Sequence, residues 1–272
     1  MIGELPPVPG RPLLAALFGS RAIPPGANAG LVFDRFLRIW AAPDQVLRSP
    51  PSRESMKSPN VTDDLKRFVS DYEGLRAAGE PLLHEAHARL KAIAPKAAET
   101  VRFAARFVSG LGGAHPLENG FTFDRTIGVP VIAGSGVKGL CRAQAKLDGL
   151  DKETIRRLFG PDMEEETHAI GDLVFLPALP SAWPKLEVDI VNCHHPRYMD
   201  GKLPDPLDVE SPVPVSFLVV AAGTDFEFRL FSRSGDKEAE KTGFQLVRAG
   251  LEILGIGAKT AVGYGTSNPW SS

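Results

Sequence analysis

The spacing of hydrophobic residues changes along the chain and divides it into two parts. Over residues 63–93 apolar side chains recur every three or four positions, as in Leu65, Phe68 and Tyr72. This period predicts two amphipathic helices, which we place on either side of a break near Gly79–Pro81.

The first 62 residues show no such period. Ten prolines interrupt them, and residues 48–60 mix proline, serine and charged side chains. Because proline fixes φ and lacks an N–H donor, we expect an irregular arm here, with a short helix at Leu31–Trp40. Residues 1–97 are therefore predicted to form a proline-rich arm followed by amphipathic helices.

Alternation with a period of two begins after residue 98. Within Thr100–Val108, the apolar Phe103 and Phe107 alternate with Arg102 and Arg106. This pattern predicts a strand with one buried face and one basic face. A helix is the alternative, but Arg102 and Arg106, with Ala104 between them, favour the strand.

Further strands and helices complete the second part. We predict strands at Asp172–Leu179 and Leu186–Asn192, a hairpin of Val213–Ala222 with Phe226–Phe231, and an amphipathic helix at Phe244–Leu254. A helix after residue 134 extends in a second piece to Phe159. Strands mixed with two or three helices predict an α+β domain over residues 98–268, most economically a ferredoxin-like (RRM-like) sheet, with residues 194–212 as a projecting loop.

Charge is distributed unevenly over the 272 residues. The formal net charge is −2, but residues 1–147 carry 19 Lys and Arg against 13 Asp and Glu, whereas residues 148–272 carry 12 against 20. A nucleic-acid partner would therefore contact a limited face. The two cysteines form no disulfide framework, and the N-terminus has no basic, apolar leader, so we expect a cytoplasmic protein with no membrane segment.

Two glycine-rich segments carry the candidate chemistry. The first glycine segment, residues 134–139, follows an apolar run and precedes a helix, and it contains Gly134, Ser135, Gly136, Lys138 and Gly139. A glycine turn with positive φ that opens a helix would direct backbone N–H groups at one phosphate. Lys138 would add a charge, with Arg142 one turn further along.

The second glycine segment, residues 255–265, has the same ingredients near the C-terminus. It contains Gly257, Lys259, Thr260 and Tyr264. Two segments that suit phosphate in one chain suggest a polyanion, with Tyr264 either a packing residue or a stacking platform.

A dinucleotide site is the alternative that the first segment raises, because Gly134–Gly139 satisfies GxGxxG. That fingerprint requires a parallel strand ending in Asp or Glu about 20 residues later. Here the corresponding region, Lys152–Phe159, is charged and helix-like. Neither segment matches GxxxxGK[ST], so a P-loop is less favoured still.

Three glycine motifs together carry a family resemblance: Gly110–Gly120, Gly128–Gly139 and the second glycine segment. They resemble the RAMP (repeat-associated mysterious protein) superfamily of CRISPR systems. With Cys193–Tyr198 and Ser211–Phe217 between them, their order most resembles the sixth-subunit family of type III-B (Cmr) effector complexes. The resemblance covers residues 100–268.

The resemblance implies a ferredoxin-like RAMP domain that binds guide RNA through its glycine segments near the guide's 3′ end and caps the backbone filament. Its implied partners are guide RNA, target RNA and other RAMP subunits, and it implies neither catalysis nor a cofactor. The residues expected to contact RNA are Arg102, Arg106, Gly134, Ser135, Gly136, Lys138, Gly139, Arg142, Gly257, Lys259, Thr260 and Tyr264.

A RAMP endoribonuclease is the runner-up, with an acid/base site within residues 115–125. His115, Glu118, Asp124 and Arg125 lie there, and a histidine with a carboxylate can act on a 2′-hydroxyl. Loop capping and turn formation explain the same residues more simply. Cys193–His195 does not predict a zinc site, since adjacent ligands on a strand alternate faces.

Overall fold

The computed structural model describes residues 23, 26–35, 61–95, 98–113, 115, 119–162, 169–193, 201, 204–205 and 213–267. The helices are α1 (Ala29–Arg35), α2 (Val61–Gly74), α3 (Arg76–Ile93), α4 (Gly134–Leu147), α5 (Lys152–Phe159) and α6 (Lys237–Ile253), with a 3₁₀ turn at Thr260–Val262. The strands are β1 (Ala98–Arg102), β2 (Leu173–Phe175), β3 (Leu179–Pro180), β4 (Leu186–Cys193), β5 (Val213–Val220) and β6 (Asp225–Ser232).

Some predictions fall outside the described residues. These are the proline-rich stretch before residue 23, residues 36–60, Glu118 and nearly all of the loop predicted at 194–212. Within the described part, the predicted mixture of helices and strands is confirmed.

Strand β6 is the centre of the larger sheet. It pairs with β1 from Ala98↔Arg229 to Arg102↔Asp225, with β2 at Leu173↔Ser232, and with β3 at Leu179↔Glu227. Strands β4 and β5 form a separate two-stranded sheet. Every strand pairing within the described ranges is antiparallel.

The predicted hairpin of Val213–Ala222 with Phe226–Phe231 is wrong. The first strand pairs with β4 and the second with β1, β2 and β3. The connection redirects the chain, because the Gly223 amide donates to the Phe103 carbonyl at 2.7 Å and Thr224 Oγ1 donates to the Ala221 carbonyl. Burial of Phe226, Phe228 and Leu230 follows the predicted alternation.

The strand predicted at Thr100–Val108 is interrupted after Arg102. The amides of Ala104 and Ala105 both donate to the Thr266 carbonyl, at 3.0 and 3.3 Å. Phe107 then forms an antiparallel bridge with Val220 of β5. This segment therefore connects the larger sheet to the two-stranded sheet.

The break between α2 and α3 lies at Leu75 rather than at Gly79–Pro81, so the predicted position was wrong. Gly79 faces the indole of Trp183, and a Cβ there would overlap the ring. Trp183 also stacks on Tyr72, with ring centroids 4.8 Å apart. Glycine at this position thus permits close packing, and α3 continues through Pro81.

Aromatic side chains join the N-terminal helices to the rest of the protein. The Phe123 ring lies 5.8 Å from Phe33, 6.1 Å from Phe68 and 6.2 Å from Tyr72, measured between centroids. These residues belong to one hydrophobic cluster with the interior of both sheets. The domain boundary at residues 97 and 98 stays a prediction.

Helices α4 and α6 pack against each other. A Cβ at Gly250 would lie 2.8 Å from Leu140 Cγ, so a small residue on α6 is needed there. Gly134 lies against the end of β2, whereas Gly243, on the first half of α6, lies against Leu173 at its start. The helices are therefore antiparallel, and both glycine segments lie at the same end of the pair.

Candidate nucleic-acid interface

The first glycine segment forms the start of α4 rather than a turn. Ala133 precedes it with extended φ and ψ of −60° and 140°, and no glycine within 134–139 has a positive φ. The prediction of a positive-φ turn was therefore wrong. The physical reason for a glycine here is packing. Gly134 lies against the Phe175 carbonyl, and a side chain would not fit between them.

The start of α4 nevertheless presents hydrogen-bond donors. The amides of Gly136 and Val137 bond the Ala133 carbonyl, at 2.8 and 3.1 Å. Those of Gly134 and Ser135 have no acceptor in the part of the chain that the structure describes. Unpaired amides at a helix N-terminus favour an anion.

Gly136 and Gly139 are exposed, and a Cβ on either would meet no atom within 4 Å across the described residues. Neither φ nor packing therefore requires glycine at these two positions. The space beside them is open to a ligand backbone.

Lys138 lies between these glycines and is half-buried. Burial lowers its pKa first, and the neighbouring Arg142 lowers it further. No carboxylate of the described ranges forms an ion pair with Lys138. An anion bound here would relieve this unbalanced positive charge.

Arg142 is used by the fold. Its guanidinium donates to the carbonyls of Phe159 at 2.8 Å and Gly160 at 2.7 Å, and to that of Pro161 at 3.1 Å. It also bonds Asp162 Oδ1 at 2.7 Å, and 19% of the side chain is exposed. Arg142 thus closes the C-terminal end of α5, and its contact with RNA stays a prediction.

The second glycine segment is a loop with several left-handed residues. Gly255, Gly257, Lys259, Gly263 and Gly265 have φ of 68°, 95°, 60°, 92° and 69°. It lies along residues 104–108, since Ala258 donates to the Val108 carbonyl and Gly265 to the Arg106 carbonyl, both at 2.8 Å. Here the sequence prediction of a glycine loop is confirmed.

Lys259 and Thr260 lie at the tip of this loop. The amides of Lys259, Thr260 and Ala261 have no acceptor within the described part of the chain. The Lys259 ammonium lies 5.5 Å from the Phe217 ring centroid, and no ion pair involves it in the described ranges. The tip therefore offers three amides and one positive charge, the combination that binds a phosphate.

Tyr264 and Arg106 meet on carboxylates of β4. Tyr264 Oη donates to Asp189 Oδ2 at 2.5 Å, and Arg106 bonds Asp189 at 2.9 Å and Glu187 at 3.2 Å. Burial, followed by the Asp189 bond, raises the Tyr264 pKa to about 12. This arrangement favours packing for Tyr264, and its role as a platform for a base stays a prediction.

Arg102 is exposed on β1 and forms two bonds with Asp225, at 2.9 and 3.0 Å. The basic face predicted from Arg102 and Arg106 is thus paired with carboxylates. Sequence reasoning missed these partners, although Glu187 and Asp189 alternate along a predicted strand and so share one face.

The residues of the alternative acid/base site have structural contacts. Asp124 Oδ1 accepts bonds from the Thr126 amide at 2.8 Å, Thr126 Oγ1 at 2.7 Å and the Ile127 amide at 3.0 Å. The His115 ring stacks on Phe33 at 4.4 Å, and burial lowers its pKa. Arg125 is exposed, and its carbonyl accepts from Asn28 Nδ2.

Two other kinds of site, for a dinucleotide and for a metal ion, do not fit the described structure. A dinucleotide fold needs parallel strands, whereas the strands around α4 pair antiparallel. Within the described ranges, no group of three or more His, Cys, Asp or Glu side chains could hold a metal ion.

Comparison with known proteins gives the following matches. A sequence profile of the RAMP superfamily matches residues 101–266. The CRISPR system Cmr subunit Cmr6 of Pyrococcus furiosus is 28% identical to this chain over an alignment of 282 positions. The alignment covers 82% of this chain and 78% of the relative.

Solved structures are similar as well. A chain of the type III-B Cmr-beta complex, determined by cryo-electron microscopy with cognate target RNA, superposes with a TM-score of 0.58 at 17% identity, covering 94% of this chain and 95% of its own. The crystal structure of Cmr6 from Pyrococcus furiosus gives a TM-score of 0.39 at 28% identity, covering 62% and 95%. The superposition on the chain of the Cmr-beta complex shows a similar fold.

Hydropathy adds one observation about membranes. None of the helices in the described ranges is both long enough and apolar enough to span a bilayer.

Proposed function

The chain belongs to the RAMP superfamily, and from this membership we propose that it is a non-catalytic, RNA-binding subunit of a type III-B (Cmr-type) CRISPR effector complex. It holds guide RNA toward the 3′ end and caps the backbone filament. The similarity to Cmr6 and to a chain of the Cmr-beta complex supports this proposal. Its partners are guide RNA, target RNA and other RAMP subunits, in the cytoplasm and without a cofactor.

A ferredoxin-like (RRM-like) domain is part of the proposal. The larger sheet has the order β1-β6-β2, with α4 between β1 and β2 in sequence and α6 after β6. The segment after α6 lies along residues 104–108, beyond the end of β1. This order supports two interleaved βαβ units, in which the segment after α6 takes the place of the last strand.

One observation carries the RNA-binding proposal. Two glycines with open space beside them flank a lysine that has no carboxylate partner in the described ranges. At Gly136 and Gly139 the fold gives no reason for glycine, whereas close approach of a phosphate backbone does. Lys138 supplies the charge for that phosphate.

The second glycine segment supports the same function in another way. Its three amides without acceptors and the Lys259 ammonium lie at the same end of the α4–α6 pair. Single-stranded RNA needs several phosphate contacts in succession, which two such sites provide. In this role Arg106 and Tyr264 buttress the second site, while Arg102 and Arg142 lie beside the path of the RNA.

The test is RNA binding by the full chain with Lys138→Ala and Lys259→Ala. Each substitution should weaken binding of a labelled single-stranded RNA and lower the slope of log affinity against log salt by about 0.7, the effect of one lost phosphate contact. Lys241→Ala is the matched control, because Lys241 pairs with Glu238 on the first half of α6. The proposal is wrong if all three variants bind RNA as the natural chain does.

The endoribonuclease alternative has its own test. The Asp124 carboxylate accepts three hydrogen bonds that stabilise the turn in which it lies. This structural role does not favour a catalytic one. We expect no metal-dependent cleavage of RNA by the purified chain. Cleavage that Asp124→Ala abolishes, while the variant remains folded, would establish the alternative.

A further inference from the structure

Both residues of one rung of the two-stranded sheet contact the second glycine segment. Asp189 of β4 and Phe217 of β5 are Cα partners in the ladder. Asp189 accepts the Tyr264 hydroxyl, and Phe217 lies 5.5 Å from the Lys259 ammonium. The Phe217 and Tyr264 rings are also adjacent, with centroids 6.2 Å apart.

The same carboxylate fixes the strand segment on which the loop rests. Asp189 bonds Arg106 at 2.9 Å, and the Arg106 carbonyl accepts the Gly265 amide at 2.8 Å. The Tyr264 amide in turn donates to the Lys259 carbonyl at 3.2 Å. A continuous set of contacts therefore runs from Asp189 through Tyr264 to Lys259.

Lys259 is the residue most in need of such support. It is the one non-glycine residue with a positive φ in the described part of the chain. A side chain in this conformation is strained, so surrounding contacts must hold it. These contacts come from the turn of the loop itself and from the Asp189–Phe217 rung of the two-stranded sheet.

We propose that Asp189 and Phe217 are positioning residues that fix the Lys259 ammonium and the amides of residues 259–261 toward one RNA phosphate. This inference rests on the proposed RNA-binding function. It assigns β4 and β5 a role in binding that neither glycine segment reveals alone.

Electrostatics by itself predicts the opposite effect for Asp189. A carboxylate beside a phosphate site repels the ligand, so removing it should strengthen RNA binding. A positioning role predicts weaker binding when the hydrogen-bond acceptor is lost. Asp189→Asn and Asp189→Ala remove the same charge, but only asparagine keeps an acceptor for Tyr264.

The experiment compares RNA affinity of the full chain with Asp189→Asn, Asp189→Ala and Tyr264→Phe. We expect Asp189→Ala to bind about two- to tenfold more weakly than Asp189→Asn, and Tyr264→Phe to lose a similar factor, which corresponds to one hydrogen bond. Glu85→Gln is the control for the loss of one charge, since the exposed Glu85 pairs with Arg89 on α3 and not with Tyr264. Thermal unfolding checks that each variant is folded.

The outcomes separate this inference from the function on which it rests. If Lys259→Ala weakens binding while Tyr264→Phe binds like the natural chain and the two Asp189 variants bind equally, the positioning role is wrong and the RNA site stands. If Lys259→Ala has no effect, the RNA site itself is wrong. Should Asp189→Ala fail to fold, Tyr264→Phe, which changes no charge, decides the question.

Discussion

The two glycine segments have similar compositions and opposite backbone requirements. The first lies in α4, where no residue has a positive φ. The second is a loop in which four glycines and Lys259 adopt positive φ. Glycine content alone therefore does not indicate a turn.

The difference lies in what surrounds each glycine. In the second segment, Gly257 faces Phe107 and Val108, and Gly265 faces the Ile256 carbonyl, so the fold itself requires glycine. In the first, Gly136 and Gly139 face open space. The second segment thus serves the fold first, whereas these two positions of the first remain available to a ligand.

The largest effect is expected for Gly265→Ala. Its φ is +69°, and a Cβ would overlap the Ile256 carbonyl. Because the overlapping atoms belong to the backbone, no change of side-chain rotamer can relieve the clash. Left-handed strain and this overlap together should lower the free energy of unfolding by about 3 kcal/mol or more, measured by denaturant titration.

Gly235→Ala separates the two contributions. Gly235 has a φ of +81°, but nothing lies within 4 Å of its Cβ position in the described ranges. It should cost only the strain, about 1–2 kcal/mol. An equal loss in both variants would show that the backbone contact of Gly265 is unimportant.

Arg142→Ala should have the next largest effect. It removes the side-chain donors from the Phe159, Gly160 and Pro161 carbonyls at the end of α5. Because these bonds involve a charged, mostly buried group, we expect a loss of about 2–3 kcal/mol in the free energy of unfolding. Lys138→Ala, one turn earlier on α4, should leave stability within about 0.5 kcal/mol. Equal losses would mean that Lys138 also serves the fold.

Sequence patterns predicted the elements better than their pairing. The apolar periods of α2, α3 and α6 reflect burial of one helix face, and residues such as Leu65, Phe68 and Leu251 are indeed buried. The alternation of Phe226, Phe228 and Leu230 likewise reports a buried face. A period reports which side is buried and contains no information on the neighbouring strand, and so β5 was paired wrongly with β6.

The sequence motifs indicated some residues of the candidate site but not the partners of the others. Lys138 and Lys259 could be singled out because they lie within the glycine motifs. The partners of Arg106 and Tyr264 are 75 or more positions away in sequence, on β4, and only the tertiary fold brings them together. Composition cannot distinguish a basic face that is free from one that is paired with carboxylates.

Gly139→Ala should change stability in the opposite direction to Gly265→Ala. Alanine is favoured over glycine inside a helix by roughly 0.5–1 kcal/mol, and the open space at Gly139 accommodates its methyl group. Thermal unfolding should therefore show a more stable protein. RNA affinity should fall in the same variant if a phosphate backbone approaches this surface. A variant that gains stability and keeps its full RNA affinity would remove Gly139 from the proposed interface.

The last effect is seen only at alkaline pH and concerns the stability of the second segment. The Tyr264 pKa is raised from 10.0 to about 12, so folding favours its neutral form. The stabilisation is complete below the unfolded pKa near 10 and is lost as pH rises toward 12. The free energy of unfolding should fall more steeply over this range in the natural chain than in Tyr264→Phe. Subtracting the two curves cancels the other titrating groups, Tyr72 among them, whose pKa burial also raises. Parallel curves would mean that the Asp189 bond does not restrain Tyr264, and the contrast between a segment held by its fold and one open to a ligand would then rest on the glycines alone.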